Sequence, residues 1–316
     1  MGLFNFLTET IGFEAGSQNL RILHNGNLIF NEPSQISVDE GGIVTAIGNE
    51  AYEEKDLHFI KPINYAISDF QAFEELLKRA IGKGMNGNSF FKPSLIVYAS
   101  YPTGITQVEL RAYRDSAEYS GAKQVHLIMQ CFTSAIGMKI LFEKKDFILI
   151  DFGASKIEVS IFSDSLPIAQ SALRIGTWKI NKLIKNFISR QYDVTLSDED
   201  IDTLMLSISN KEEIHVKNIA IPISEINELV SHYFVLANDT ILESLESISK
   251  HPKLSYIQKN GVYFTGGGSA NSFLRNKIVS IGELRSEVSK EPHLDSVNGL
   301  VEVIKSPETF KDYIIT

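Results

Sequence analysis

The apolar run Phe147-Ile148-Leu149-Ile150 stops at Asp151, turns through Gly153-Ala154-Ser155, and gives way to alternating apolar and polar residues from Ile157 to Ile161. The unbroken run predicts a buried strand, and the alternation predicts a half-buried one. A carboxylate at the mouth of a buried strand is costly unless something pairs with it. Asp151 is therefore either such a paired group or the solvated tip of an ordinary hairpin. Earlier in the chain, Thr10–Glu14 reads as a strand, Ala15-Gly16-Ser17-Gln18 as a turn and Asn19–Leu23 as a second strand, followed by a His24-Asn25-Gly26-Asn27 hairpin turn. The spacing of Phe70, Phe73, Leu76, Leu77 and Ile81 predicts a helix over Ser68–Ile81, and Pro93–Tyr98 predicts a buried strand. Thr106-Gln107-Val108-Glu109 is a capping box whose helix should close near Gly121, with a short strand at Val125–Ile128. A second box at Ser197–Asp200, a long helical pattern over Ser224–Ser249 and a strand at Val262–Thr265 follow. The triglycine Gly266-Gly267-Gly268 then leads into a helical pattern at Asn271–Ile278. Strands and helices alternate without a low-complexity linker, which predicts α/β layering.

Length and charge narrow the class. A chain of 316 residues can build two cores. Its net charge of -9, with no block of Lys and Arg, predicts no nucleic-acid partner. The single cysteine, Cys131, excludes an internal disulfide framework and a Cys-based zinc cluster, and the seven histidines show no ligand spacing. No apolar run approaches the roughly 18 residues of a membrane span, and no secretory signal pattern is present, so a cytoplasmic protein is expected.

Two stretches echo each other. In "GFEAGSQNLRIL" (12–23) and "LIDFGASKIEVSI" (149–161), an apolar strand ends in a carboxylate, Glu14 or Asp151. A glycine stands two residues later, Gly16 or Gly153, followed by small polar residues and a second strand. Two such hairpins half a chain apart predict two related domains. Phosphate binding is the chemistry that suits them: glycine lets backbone amides approach phosphate oxygens, and Ser17 or Ser155 adds a hydroxyl donor. The carboxylates would then lie where a phosphate-bound magnesium ion and its waters sit. The triglycine adds a strand–turn–helix site for a nucleotide.

These residues bring in a family. The chain resembles the actin-like ATPase superfamily, and within it the MreB-like bacterial actins, over nearly its full length. The resemblance is carried by "LIFNEPSQISVDEGGIVTAIGNEAYE" (28–53), "YPTGITQVELRAYRDSAEYSGAKQVHLI" (101–128), "SAIGM" (134–138) and "YFTGGGSANSFLR" (263–275). It implies an α/β, two-lobed fold of two related domains, each with a mixed sheet flanked by helices, and ATP with Mg²⁺ in the cleft between them. The expected boundaries are 1–137 plus 292–316 for the first domain and 138–291 for the second. Carried over residue by residue, Gly16, Ser17, Gln18 and Asn19 line the first phosphate loop, and Gly153, Ala154, Ser155 and Lys156 the second. Gly266, Gly267, Gly268 and Ser269 hold the nucleoside end. Glu14 and Asp151 are the expected metal carboxylates, and Gln130 stands where the family has a Glu thought to position the attacking water.

The chain departs from the family at the chemistry. Glu14 replaces an Asp, and Gln130 orients water but is no general base. Lys156 follows Ala154-Ser155 in place of glycines and a Thr, and either adds a cation near the phosphates or points to solvent. The family's Glu-Glu-Ile-Lys motif near the nucleotide is similar to Glu199-Asp200-Ile201-Asp202, without its lysine, and its Gly-Gly-Asp turn to Gly176-Thr177-Trp178. The resemblance implies a slow ATPase at most, filaments formed by self-association, and other cell-shape proteins as partners. Leu3, Phe4, Phe6 and Leu7 would share one helical face, so Met1–Phe13 either touches the inner-membrane surface or packs on the first domain. Two further functions stay open: a non-hydrolysing scaffold that copolymerises with an active relative, and a small-molecule kinase on the same fold.

Overall fold

The computed structural model describes residues 8–53, 58–85, 94–208, 213–216, 219–278 and 284–316. The chain divides into two compact units, Met1–Glu143 with Leu294–Thr316, and Lys144–His293. Among the described residues no helix is long and apolar enough to cross a membrane.

The first unit is built on a mixed sheet. Strands β1 (Thr8–Ala15), β2 (Asn19–His24) and β3 (Asn27–Pro33) form an antiparallel meander. β4 (Ser94–Tyr101) pairs in parallel with the other edge of β1, β5 (Ala122–Met129) in parallel with β4, and Ile314–Ile315 closes the sheet against β5. The β2–β3 turn has Asn25 and Gly26 at φ 49° and 81°, the left-handed pair that a tight hairpin of this twist requires. Helix α1 (Phe70–Gly84) starts from Asp69, whose carboxylate accepts from Ala72 N–H at 3.0 Å. Phe73, Leu76, Leu77 and Ile81 lie in the core as their spacing predicts, but Phe70, in the first turn, is exposed. Helix α2 (Gln107–Tyr119) has the expected capping box: Glu109 N–H donates to Thr106 Oγ1 at 3.2 Å, and Thr106 N–H to Glu109 Oε2 at 2.8 Å. Its chain reverses through Gly121 at φ 103°.

Helix α3 (Gln130–Gly137) leaves β5 and crosses the C-terminal helix Asp295–Lys305 backbone to backbone. A Cβ on Gly299 would stand 1.7 Å from Thr133 O, and one on Gly137 1.9 Å from Asp295 O. The seam carries buried hydroxyls, Thr133 with Ser296 at 2.8 Å and with Ser100 at 3.1 Å, which satisfy one another where no water reaches. This crossing fixes the helix whose first residue is Gln130.

The second unit repeats the plan. β6 (Phe147–Phe152), β7 (Ile157–Ser163) and β8 (Leu166–Leu173) form the meander, with β9 (Val262–Thr265) parallel to β6 and β10 (Ser286–Val288) parallel to β9. The order β8-β7-β6-β9-β10 matches β3-β2-β1-β4-β5 strand for strand. The internal echo in the sequence is thus a repeat of topology. β6 is buried along its whole length, as an unbroken apolar run requires of a central strand. β7 departs from expectation, because all seven of its residues are buried instead of alternate ones. Its serines find partners inside: Ser160 Oγ accepts from Gln170 Nε2 at 3.3 Å, and Ser163 Oγ donates to Asp146 Oδ1 at 2.8 Å. Helices α4 (Thr177–Tyr192), α5 (Asp198–Ser207) and α6 (Ile223–Ser247) supply Ile180, Ile184, Ile188, Ile201, Ile226 and Ile241 to this core. Each such buried side chain contributes about 1.5–3 kcal/mol.

Candidate functional site

The two carboxylate hairpins close in the same way. Gly16 N–H donates to Asn19 C=O at 3.1 Å, and Gly153 N–H to Lys156 C=O at 2.9 Å. A Cβ on Gly16 would lie 2.7 Å from Asn19 O, so the tight first turn requires glycine. This closure sets the register. The carboxylate two residues before the glycine falls opposite the residue five after it, which pairs Glu14 with Arg21 and Asp151 with Glu158.

In the first unit the opposite residue is a cation. Arg21 Nη1 donates to Glu14 Oε2 at 2.9 Å, and Gln130 Nε2 to Glu14 Oε1 at 3.2 Å. Glu14 and Arg21 are both buried, so a charge-assisted bond replaces the water each has lost. The expected loop residues surround the turn: Gly16, Ser17 and Asn19 are half-buried, and Gln18 is exposed. Ser17 Oγ accepts from Tyr65 N–H at 3.2 Å, and Asn19 Nδ2 donates to Asn31 Oδ1 at 3.0 Å.

In the second unit the opposite residue is another acid. Asp151 and Glu158 face each other across the ladder, where like charges destabilise. Lys156 resolves this. It lies in the turn, one residue before β7 begins, and reaches back to both carboxylates. Its ammonium donates to Glu158 Oε2 and stands 3.2 Å from Asp151 Oδ2. Lys156 is 8% exposed, Asp151 6% and Glu158 3%. The solvent-facing alternative for Lys156 is therefore overturned, because two buried carboxylates hold it inside. Burial alone would lower its pKa, but the charges of Glu158 and Asp151 outweigh burial and raise it.

The triglycine lies against this hairpin. Thr265 is the parallel partner of Asp151, and Gly266 (φ 82°) follows it. A Cβ on Gly266 would meet Asp151 Oδ1 at 2.2 Å, and one on Gly268 would meet Thr177 Cγ2 at 2.8 Å and Phe152 O at 2.9 Å. These two glycines serve close packing, whereas Gly267 is exposed and would meet only His293 Cβ at 3.7 Å. The chain does not pass straight from the triglycine into an α-helix, since Gly267–Ala270 forms a 3₁₀ turn before the helix Ser272–Ile278. Ser269 is buried, its Oγ donating to Thr265 C=O.

Gly153 and Ala154 are half-buried and Ser155 is buried. Their turn is docked on the start of α4: Thr177 N–H donates to Gly153 C=O at 3.1 Å and Trp178 N–H to Ala154 C=O at 2.9 Å. A Cβ on Gly176 would lie 2.5 Å from Ala154 C, so the Gly176-Thr177-Trp178 turn belongs to the packing of the hairpin. On α5, Glu199 is exposed, and Asp202 accepts from Asn181 Nδ2 at 3.1 Å.

The second unit thus gathers Asp151, Gly153, Lys156, Gly266 and Gly268, and the first gathers Glu14, Gly16, Ser17, Asn19 and Gln130. Arg21 and Glu158 were not singled out from sequence. The hairpin register was the signal that could have found them.

Among the described residues no group of three or more His, Cys, Asp or Glu side chains is arranged to hold a metal ion. Asp151 already has an ammonium beside it and Glu14 a guanidinium. Taken each in its own unit, neither carboxylate fits a resident magnesium ion held directly, because a cation of the chain already occupies its side.

The architecture is that of the actin-like proteins. MreB5 of Spiroplasma citri bound to AMPPNP aligns over 96% of this chain and 98% of its own, with TM-score 0.84 and 20% identity. The MamK double helical filament aligns over 95% and 99%, with TM-score 0.75 and 15% identity. In sequence, the MreB/Mbl protein family matches residues 8–312, and the chain belongs to this family. It is 29% identical to the cell shape-determining protein MreB of Escherichia coli (strain K12) over 303 residues, 87% of this chain and 85% of the relative. It is 27% identical to the cell shape-determining protein Mbl of Bacillus subtilis (strain 168) over 314 residues, 91% of each.

Proposed function

We propose that this chain binds an adenine nucleotide through its glycine turns and polymerises into filaments that contribute to cell shape. The observation that carries the reading is the duplicated hairpin, closed twice by the same Gly N–H to C=O bond with a carboxylate two residues earlier. Solved relatives support it: MreB5 is bound to AMPPNP in one structure and ADP in another, and MamK forms a double helical filament. A head-to-tail contact that does not close generates such polymers. Electron microscopy and pelleting of purified protein with and without ATP test the proposal. A protein that stays monomeric at high concentration with ATP would overturn it.

Hydrolysis is slow at most in this reading. Gln130 donates its amide to Glu14, and an amide cannot act as a general base. Assembly is therefore expected to proceed equally with ATP and with a non-hydrolysable analogue, measured as the pelleted fraction. Filaments that form only with ATP would restore a role for turnover. The copolymerising scaffold is the second reading, and it is favoured by this same contact.

Membrane contact is proposed for residues 1–7 alone. Leu3, Phe4, Phe6 and Leu7 lie outside the described residues, whereas Ile11 and Phe13, in β1, are core residues and leave no apolar face for lipid. Many short anchors on one polymer gain avidity. Deleting residues 2–7 should sharply reduce co-sedimentation of filaments with liposomes. Unchanged binding would place the contact elsewhere.

A further inference from the structure

We propose that Lys156 supplies the positive charge that a divalent cation would otherwise bring to Asp151, so that this chain binds nucleotide without needing magnesium. The inference rests on the nucleotide-binding reading above and concerns the same hairpin.

The ammonium is fixed by the fold. Lys156 C=O accepts the Gly153 N–H that closes the turn, so its backbone is pinned at the base of the glycine loop. Its side chain turns inward between two carboxylates that oppose each other across the β6–β7 ladder. Without a cation there, two buried like charges would stand directly opposite one another. The ammonium is thus a structural requirement of the hairpin before any ligand arrives.

That requirement conflicts with a metal at Asp151. Magnesium dehydrates reluctantly and sits where carboxylate charge draws it. At Asp151 that charge is already shared with an ammonium 3.2 Å away. A divalent ion would have to bind beside this ammonium against repulsion, or displace it and leave Lys156 with Glu158 alone. Lysine is also a compact point charge of the kind that binds phosphate, and it stands one residue beyond the Gly153-Ala154-Ser155 turn. Lys156 thereby fills the electrostatic role of the metal with the chain's own atoms.

The test is equilibrium binding of a fluorescent ATP analogue to the full chain, in excess Mg²⁺ and in EDTA, with Mn²⁺ binding followed by electron paramagnetic resonance. Wild type should bind the analogue in EDTA within about fivefold of its affinity in Mg²⁺, and protein without nucleotide should hold no Mn²⁺. The double variant Lys156→Gln/Glu158→Gln frees Asp151 while keeping the cluster's formal charge at -1, as in wild type. It should become metal-dependent by more than fivefold. A wild type that binds tightly in Mg²⁺ but loses more than fivefold in EDTA overturns the inference and leaves the nucleotide reading standing. A double variant that stays metal-independent also overturns it, by removing Lys156 as the cause. No binding under either condition removes the nucleotide reading and this inference with it. The wild-type comparison decides even if the double variant fails to fold.

Discussion

Lys156→Met is expected to destabilise the second unit by about 3–5 kcal/mol, the usual cost of removing one partner from a buried charge cluster. The reason lies in the ladder register. Asp151 and Glu158 are cross-strand partners, both almost inaccessible to water, and the ammonium is the cation that stands between them. Methionine matches the stem's length but leaves two buried carboxylates facing each other. The loss should appear as a lower urea midpoint for the unit Lys144–His293, and adding Glu158→Gln should recover part of it by removing one of the opposed charges. A single variant within about 1 kcal/mol of wild type would mean that water or a rearranged side chain replaces the ammonium at little cost. The direction of the pKa shift fixes the pH window. Lys156 is raised in the folded protein, so its contribution is fully present below the unfolded lysine value of about 10.4 and is lost only as pH rises through the higher folded value. Changes in stability between about pH 6 and 9 therefore come from other groups.

The sequence held more of this site than single motifs suggest. The apolar run before Asp151 identified a central strand because only a strand buried on both faces tolerates Phe147-Ile148-Leu149-Ile150 unbroken. Both capping boxes formed as expected, since the side chains that satisfy each helix's first amides are neighbours in sequence. The repeat of Glu14-x-Gly16 and Asp151-x-Gly153 was visible for the same reason. What the local pattern did not show was what lies across the ladder. Period-two alternation in β7 suggested a solvated face, but that face is covered, and Glu158 and Ser160 meet internal partners in place of water. The fate of each carboxylate depends on one opposite residue, Arg21 in one hairpin and Glu158 in the other. One turn geometry thus solves the buried-carboxylate problem twice, first with a facing cation and then with an adjacent one. The triglycine carries a second role that its composition did not show. Three glycines suggest backbone open to a ligand, and Gly266 and Gly268 are needed as well for packing against Asp151 and Phe152.

Gly266→Ala is the second large effect, and it follows from that packing. Gly266 has φ 82° and ψ 150°, a region that only glycine occupies comfortably, and forcing another residue into it costs of order 1–3 kcal/mol. The new methyl would also stand 2.2 Å from Asp151 Oδ1 and 2.5 Å from Phe152 O, both at the end of β6. Overpacking of this kind costs about 1–3 kcal/mol more. Because a backbone carbonyl is one obstacle, a side-chain rotation cannot relieve the clash. The turn at Gly266–Gly268 must move away from β6, and Asp151 must shift from Lys156. If the nucleoside end sits on this turn, displacing it should also weaken nucleotide binding, by on the order of tenfold, about 1.4 kcal/mol. Gly267→Ala is the control, since its methyl would meet only His293 Cβ at an ordinary 3.7 Å and the backbone there needs no left-handed φ. Titration calorimetry with ATP on both variants, alongside thermal unfolding, separates site damage from global loss. A Gly266→Ala protein that binds ATP as tightly as wild type would move the nucleotide away from the triglycine and leave that turn a packing element alone.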